Sequence, residues 1–262
     1  MSARLFNLAT WNVNSLRVRL PHLETWLANT PVDVLGLQET KITDADFPAA
    51  EIGGLGLSGA WHGQRTYNGV ALLGRQPVGD VSRGLPGFAD EQARVIAGTV
   101  QGVRVIDVYV PNGQSVGSDK YAYKLRWLAA LRDYLKAEIK AYPRLAVMGD
   151  FNIAPEDRDV YDPKGWEGQV LVSDPERQAL AGICSLGLED VFRRFEQPEP
   201  SYSWWDYRAA AFRRNHGLRI DLVLATEALA RRCTGCRIDV VPRRAERPSD
   251  HAPVIAEFDL SG

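Results

Sequence analysis

The sequence predicts an α/β fold in which helices pack outside mixed β-sheets. Three observations carry this: apolar runs of strand length that end in polar residues, amphipathic helical stretches between some of those runs, and hairpin-like succession between others. No linker, low-complexity segment or internal repeat divides the chain, so residues 1–262 are expected to form one α/β domain. With 262 residues and 45% hydrophobic content, the chain is long enough to bury a large core.

In chain order, Arg4 to Val13 reads as a strand ending in the polar Asn12, Asn14 and Ser15. Leu16 to Ala28 has helical spacing, with Leu16, Leu20, Leu23 and Leu27 on one stripe. After the Pro31 break, Val32 to Leu37 forms a second apolar strand, followed by Gln38, Glu39, Thr40 and Lys41. Gly53 to Gly63 is glycine-rich and reads as a loop. Short strands come next at Gly69–Gly74, Val95–Val100 and Val103–Val110, and Gln101-Gly102 joins the last two as a hairpin turn. A long amphipathic helix spans Asp119 to about Ala141, with Leu125, Leu128, Leu131, Leu135 and Ile139 along its stripe.

Beyond the Tyr142-Pro143 break, Leu145 to Phe151 is a buried strand, and Asp157 to Val172 is polar and irregular. Asp174 is expected to cap a helix from Pro175 to Leu186. Ser201 to Tyr207 is an aromatic cluster, and Arg219 to Ala225 a strand carrying Asp221 among apolar neighbours. Cys236–Val241 and Val254–Phe258 close the set, with Pro248-Ser249-Asp250-His251 as a turn between them.

A formal net charge of −2 excludes a uniformly basic nucleic-acid binder but not a local basic face. The odd cysteine count, Cys184, Cys233 and Cys236, fits a reducing compartment better than a disulfide framework. Scattered histidines and a single CxxC pair argue against structural zinc. The N-terminus shows no charged leader with an apolar core. No apolar run reaches the roughly 18 residues that span a bilayer. The expectation is therefore a soluble, cytoplasmic protein.

Five separated segments place polar groups at the end of an apolar strand: Asn12; Glu39; Tyr109 with Asn112; Asp150 with Asn152; Asp250 with His251. Each alone has an ordinary explanation. Asn12 suits a turn, Glu39 can pair with Lys41, Asp150 and Asp250 can cap turns, and a lone histidine is commonly structural. Together they read as a cleft at adjacent strand ends, because buried acids cost stability unless they meet a cation or a reacting group. Alternate residues of an extended strand share a face, so Asp150 and Asn152 project together.

The motifs TWNVN, GLQETK, VYVPNGQ, GDFNIAP, RIDLVLAT and SDHAPV, with SYSWWDYR, occur in an order that resembles the exonuclease III family of DNA-repair nucleases. That family lies within the endonuclease/exonuclease/phosphatase superfamily, and the resemblance runs from about Leu5 to Phe258. It implies a four-layer α/β sandwich, two mixed sheets face to face with helices outside. It also implies a phosphodiesterase acting on duplex DNA at abasic sites and from 3′ ends, as a monomer, with magnesium or manganese. By the matching positions, Glu39 is the principal metal ligand with Asn12 and Asp250 near the ion, and Asp150 and Asn152 position or deprotonate the attacking water. Asp221 pairs with His251, which holds the scissile phosphate with Tyr109 and Asn112. The residues leave open whether Asp150 or His251 takes the water's proton.

For DNA contact the same resemblance places Trp204 at the rim of an abasic pocket, Leu218 as a second apolar wall, and Asn112 and Gln114 toward the backbone. Residues 208–247 hold ten arginines and no lysine against four acids, which suits phosphate contact, with Arg208 and Arg213 the leading candidates. Two departures stand out: Asn14 occupies a position that is aspartate in some abasic-endonuclease relatives, and residues 157–170 match poorly. The rival enzyme reading is a phosphatase or phospholipase on an inositol phosphate or sphingolipid. The rival of another class is a silent DNA-binding module, which has no need of such an acid, amide and histidine set.

Overall fold

The computed structural model describes residues 5–261. The elements run β1 (Phe6–Asn12), α1 (Leu16–Asn29), β2 (Val34–Gln38), α2 (Ala49–Gly54), β3 (Ser58–His62), β4 (Val70–Gly74), β5 (Gly79–Arg83), β6 (Val95–Val100), β7 (Val103–Tyr109), α3 (Asp119–Ala141) and β8 (Leu145–Asp150). They continue as α4 (Pro163–Trp166), α5 (Asp174–Cys184), β9 (Leu188–Asp190), α6 (Ala211–Arg214), β10 (Asp221–Thr226), α7 (Glu227–Ala230), β11 (Cys233–Ile238) and β12 (Val254–Phe258).

Two six-stranded sheets result, ordered β11-β12-β1-β2-β4-β3 and β5-β6-β7-β8-β10-β9. Each holds one parallel pair, β1 with β2 and β7 with β8, and every other pairing is antiparallel. A parallel pair needs a crossover, and α1 and α3 supply them. Successive residues of a strand face opposite ways. Thus Leu8 and Val34 meet Val105, Met148 and Val223 between the sheets. Ala9 and Leu35 turn outward to Leu23 and Leu27 of α1. On the far side Val147 and Leu222 pack under Trp127, Leu131 and Leu135 of α3 and Ile183 of α5. Each such leucine contributes about 2 kcal/mol of apolar burial. The order of layers is helix, sheet, sheet, helix, as the resemblance implies.

Several elements depart from the sequence expectation. Gly53–Gly63 is no loop: it holds the end of α2 and all of β3. Gly59 is there for close pairing, since a Cβ would lie 2.1 Å from the Leu72 carbonyl oxygen. The strands β5 and β9 sit at the sheet edge, mostly polar or short, and carry no apolar run to mark them. β11 begins earlier than expected, at Cys233, with a bulge between Cys233 and Gly235. Ser173, not Asp174, caps α5, through a reciprocal capping box with Glu176. β10 begins at Asp221, because the Arg219 amide donates to the Asp159 carbonyl rather than to a neighbouring strand, and its side chain pairs with Asp159 and Asp190. That puts Asp221 at a strand mouth rather than inside a strand. The expected strand start at Arg4 lies outside the described residues. Among the described residues, no helix is long and apolar enough to cross a membrane.

Candidate active site

The parallel pairs bring four strand ends to one edge of the sandwich. β1 delivers Asn12, the turn after β2 delivers Glu39, β7 ends in Tyr109, and β8 ends in Asp150. Asp221 opens β10 directly opposite Asp150 in the register, and His251 arrives from the turn before β12.

Glu39 occupies the left-handed region (φ 52), as does Lys41 (φ 56). For a residue with a Cβ this costs about 1–2 kcal/mol, and the surroundings must over-determine it. They do: the Glu39 carbonyl accepts from Ser15 N at 2.7 Å, and the Thr40 and Lys41 amides donate to the Gly69 and Asn68 carbonyls. The result is a carboxylate held off the strand axis toward Asn12. The Asn12 amide donates to Glu39 Oε1 at 2.8 Å and to Asp150 Oδ2 at 2.9 Å, bridging the two sheets.

His251 Nδ1 lies 2.9 Å from Asp221 Oδ2, while its Nε2 stands 3.7 Å from Asp150 Oδ2. Ser203 Oγ donates to Asp221 Oδ2 at 2.6 Å and accepts from the Ile220 and Asp221 amides. Burial alone would lower the His251 pKa, but Asp221 and Asp150 outweigh it and push it up to about 10. Burial pushes the Asp150 carboxyl up to about 7, against the opposing pull of His251. The ring is therefore an imidazolium at neutral pH, and the carboxyl beside it titrates near neutrality.

Burial, then the nearby Glu39 and Asp150 carboxylates, raise the Tyr109 pKa well above the ordinary phenol value. Its ring lies under the Arg94 guanidinium (4.7 Å). Asn152 (φ 50) donates from its main chain to Asp150 Oδ1 at 2.8 Å, and Asn112 Nδ2 donates to Asn152 Oδ1 at 3.2 Å. The Gln114 amide is bound to Asn112 Oδ1, and its own side chain is exposed.

Glu39, Asp150 and His251 present ligand atoms within 4.8 Å of one another. Two carboxylates converging on one point, one of them buried, is a donor set that a hard divalent cation fits. With His251 protonated, the cation's share falls to the carboxylates and to the carbonyl face of nearby amides. Asp250 is not in that closest group. Its oxygens accept from Asn14 Nδ2 (2.9 Å) and from the Trp204 indole (3.0 Å). Burial disfavours its charge, but His251 and those two donors hold its pKa below the ordinary carboxylate value. Asn14 also accepts from Lys41, which pairs with Glu39 at 2.9 Å.

Trp204 is half-buried and bridges in β fashion to both Leu218 and His251. Leu218 is fully buried, so it backs Trp204 from beneath rather than offering an open wall. Arg208 is exposed but paired with Asp206, and Arg213 is exposed on α6. The arginine-rich stretch is less of a surface than its count suggests. Arg219 is buried between Asp159 and Asp190, and Arg243 is buried against Phe212 while donating to the Ser249 carbonyl. Residues the sequence reading passed over are Ser203 and Arg94; Ser203 lies within the quoted SYSWW motif, while nothing local marks Arg94. The Glu39–Lys41 pair that the sequence offered does form.

Residues 9–251 match the Endonuclease/Exonuclease/phosphatase family. Exodeoxyribonuclease III of Haemophilus influenzae is 37% identical over 95% of this chain and 98% of its own length. A 3′-5′ exonuclease structure from Neisseria meningitidis superposes with a TM-score of 0.94 at 47% identity, covering 97% of this chain and 100% of that one. An AP endonuclease structure from Archaeoglobus fulgidus gives 0.93 at 39% identity, with the same coverage of both chains. Match, topology and strand-end chemistry agree, and the chain belongs to the endonuclease/exonuclease/phosphatase family.

Proposed function

We propose that this chain is a metal-dependent DNA-repair phosphodiesterase that hydrolyses duplex DNA at abasic sites and from 3′ ends. The observation that carries this reading is the run Asp221–His251–Asp150, with Glu39 joined to Asp150 through Asn12. A phosphodiester is anionic, so attack on it needs positive charge and a proton acceptor in one place. His251, protonated, supplies a charged donor for a phosphate oxygen. Asp150, titrating near 7, is the group suited to accept the proton of the attacking water. The water oxygen bonds to phosphorus, the bond to the leaving ester oxygen breaks, and Asn152 and Asn112 orient the pair. Glu39 would be the principal holder of a magnesium or manganese ion, with Asp150 the other carboxylate facing it, Asn12 beside both and Asp250 farther out. When bound, the ion would neutralise phosphate charge and stabilise the leaving oxygen.

Relatives named exodeoxyribonuclease III, 3′-5′ exonuclease and AP endonuclease support duplex DNA as the substrate class. Trp204, with Leu218 behind it, is the surface on which an extruded abasic sugar would pack; Gln114, Arg208 and Arg213 would meet the backbone. We place the protein as a monomer in the cytoplasm, where its three free cysteines suit a reducing environment. The test is incubation with a duplex carrying one internal abasic site and, separately, an undamaged recessed 3′ end, each with magnesium and with EDTA. Magnesium-dependent incision at the lesion is the expected outcome. Intact duplexes under every condition, manganese included, would overturn the reading.

A further inference from the structure

Beneath the site lies a buried cation that the proposed hydrolysis leaves without a role. Lys124 belongs to α3, outside the second sheet, and its side chain is 0% exposed. An ammonium so placed needs every donor satisfied. It has three, and the structure offers three acceptors: the Asn112 carbonyl at 3.1 Å, the Asn152 carbonyl at 2.7 Å, and the Glu176 carboxylate. Its stem crosses Gly113, where a Cβ would meet Lys124 Cδ at 3.1 Å. Glu176 is equally fixed, accepting from the Leu171 amide and from both the amide and hydroxyl of Ser173.

Neutralising the charge takes only Glu176. The other two donors go to the main chain of two site asparagines, Asn112 after β7 and Asn152 after β8. Those asparagines bond to each other, and Asn152 bonds through both its amides to Asp150. We infer that Lys124 is a positioning residue for phosphodiester hydrolysis. It clamps the loops after β7 and β8, so that Asn152, braced by Asn112, stays set against Asp150. A pair serving only to join α3 to α5 needs no bonds to site loops, and apolar side chains of similar volume often serve that end as well. The inference rests on the proposed roles of Asp150, Asn112 and Asn152.

The test compares wild type, E176Q and the double variant K124M/E176Q on the abasic duplex. Measured are kcat, KM, duplex affinity in EDTA and the melting curve. The double variant removes both charges, so no lone ion is left buried. It is expected to melt cooperatively and bind duplex in EDTA within about threefold of wild type, while kcat falls about 10- to 100-fold at similar KM. E176Q keeps both carbonyl bonds, and its cost is expected in Tm, with kcat within about threefold of wild type. Lys124→Arg gives a second readout if the double variant does not fold. It keeps charge and ion pair, but its planar fork cannot reproduce three tetrahedral donors, and the same kcat loss is expected. A folded double variant or Lys124→Arg with wild-type kcat overturns the inference, as does E176Q losing as much kcat as the double variant. Wild type leaving the abasic duplex intact would overturn instead the site reading on which it rests.

Discussion

At the scale of single residues, Asp150 and His251 are set apart by their surroundings rather than by their type. Asp150 is buried, accepts hydrogen bonds from amides and faces the imidazolium between two other carboxylates, Asp221 and Glu39, while His251 has Asp221 on one nitrogen and Asp150 near the other. Asp150→Asn keeps the shape and removes the proton acceptor. Cleavage of the abasic duplex should fall at least about 100-fold, with duplex affinity in EDTA largely kept; cleavage at the wild-type rate would disprove the role. The histidine makes a separate prediction about stability. Its pKa is raised from 6.5 unfolded to about 10 folded, so the folded state holds the proton more tightly. The stabilisation is complete below pH 6.5 and is lost as pH rises through the folded value. In EDTA, Tm should therefore decline between about pH 7 and 10, and His251→Gln should flatten that decline. An equal slope in both proteins would mean the imidazolium contributes nothing.

At the scale of elements, the site depends on the turn that leaves each strand. The central strands were legible because both faces are buried and apolar runs mark them, whereas the edge strands β3, β5 and β9 were not; β12 and α3 appear at the expected limits. Their polar ends were legible too, since acids after apolar runs stand out. What the sequence hid is backbone conformation and distant partners. Nothing local shows that Glu39 adopts a left-handed turn, that Ser203 holds Asp221, or that a lysine on an amphipathic helix points inward. Gly69 shows how finely the Glu39 turn is set. It lies at φ +91, and a Cβ there would fall 2.1 Å from Thr40 Oγ1. Gly69→Ala should cost about 1–3 kcal/mol and push Thr40 and Glu39 outward. The metal concentration for half-maximal cleavage should rise several-fold. An unchanged metal requirement would show that the turn does not govern the ligand.

Across the whole molecule, charge separates into buried and surface portions that sequence cannot distinguish. The net charge is −2, yet residues 208–247 sum to +6 on paper, ten arginines against four acids. The structure withdraws Arg219 and Arg243 from that sum for DNA contact and leaves Arg213 exposed. These two classes predict opposite failures. Arg219→Ala leaves Asp159 and Asp190 facing an empty guanidinium site, although Arg193 still reaches Asp159. Breaking such a buried pair costs about 3–5 kcal/mol, so the loss should appear in Tm whatever the salt concentration. Arg213→Ala should leave Tm within about 2 °C of wild type, because exposed positions contribute little to folding. Its effect should appear in the salt dependence of duplex binding, where losing one phosphate contact lowers the slope of log K against log salt by about 0.9. If Arg213→Ala leaves that slope intact, DNA runs over another face, and the exposed arginines of this stretch are a solvated surface.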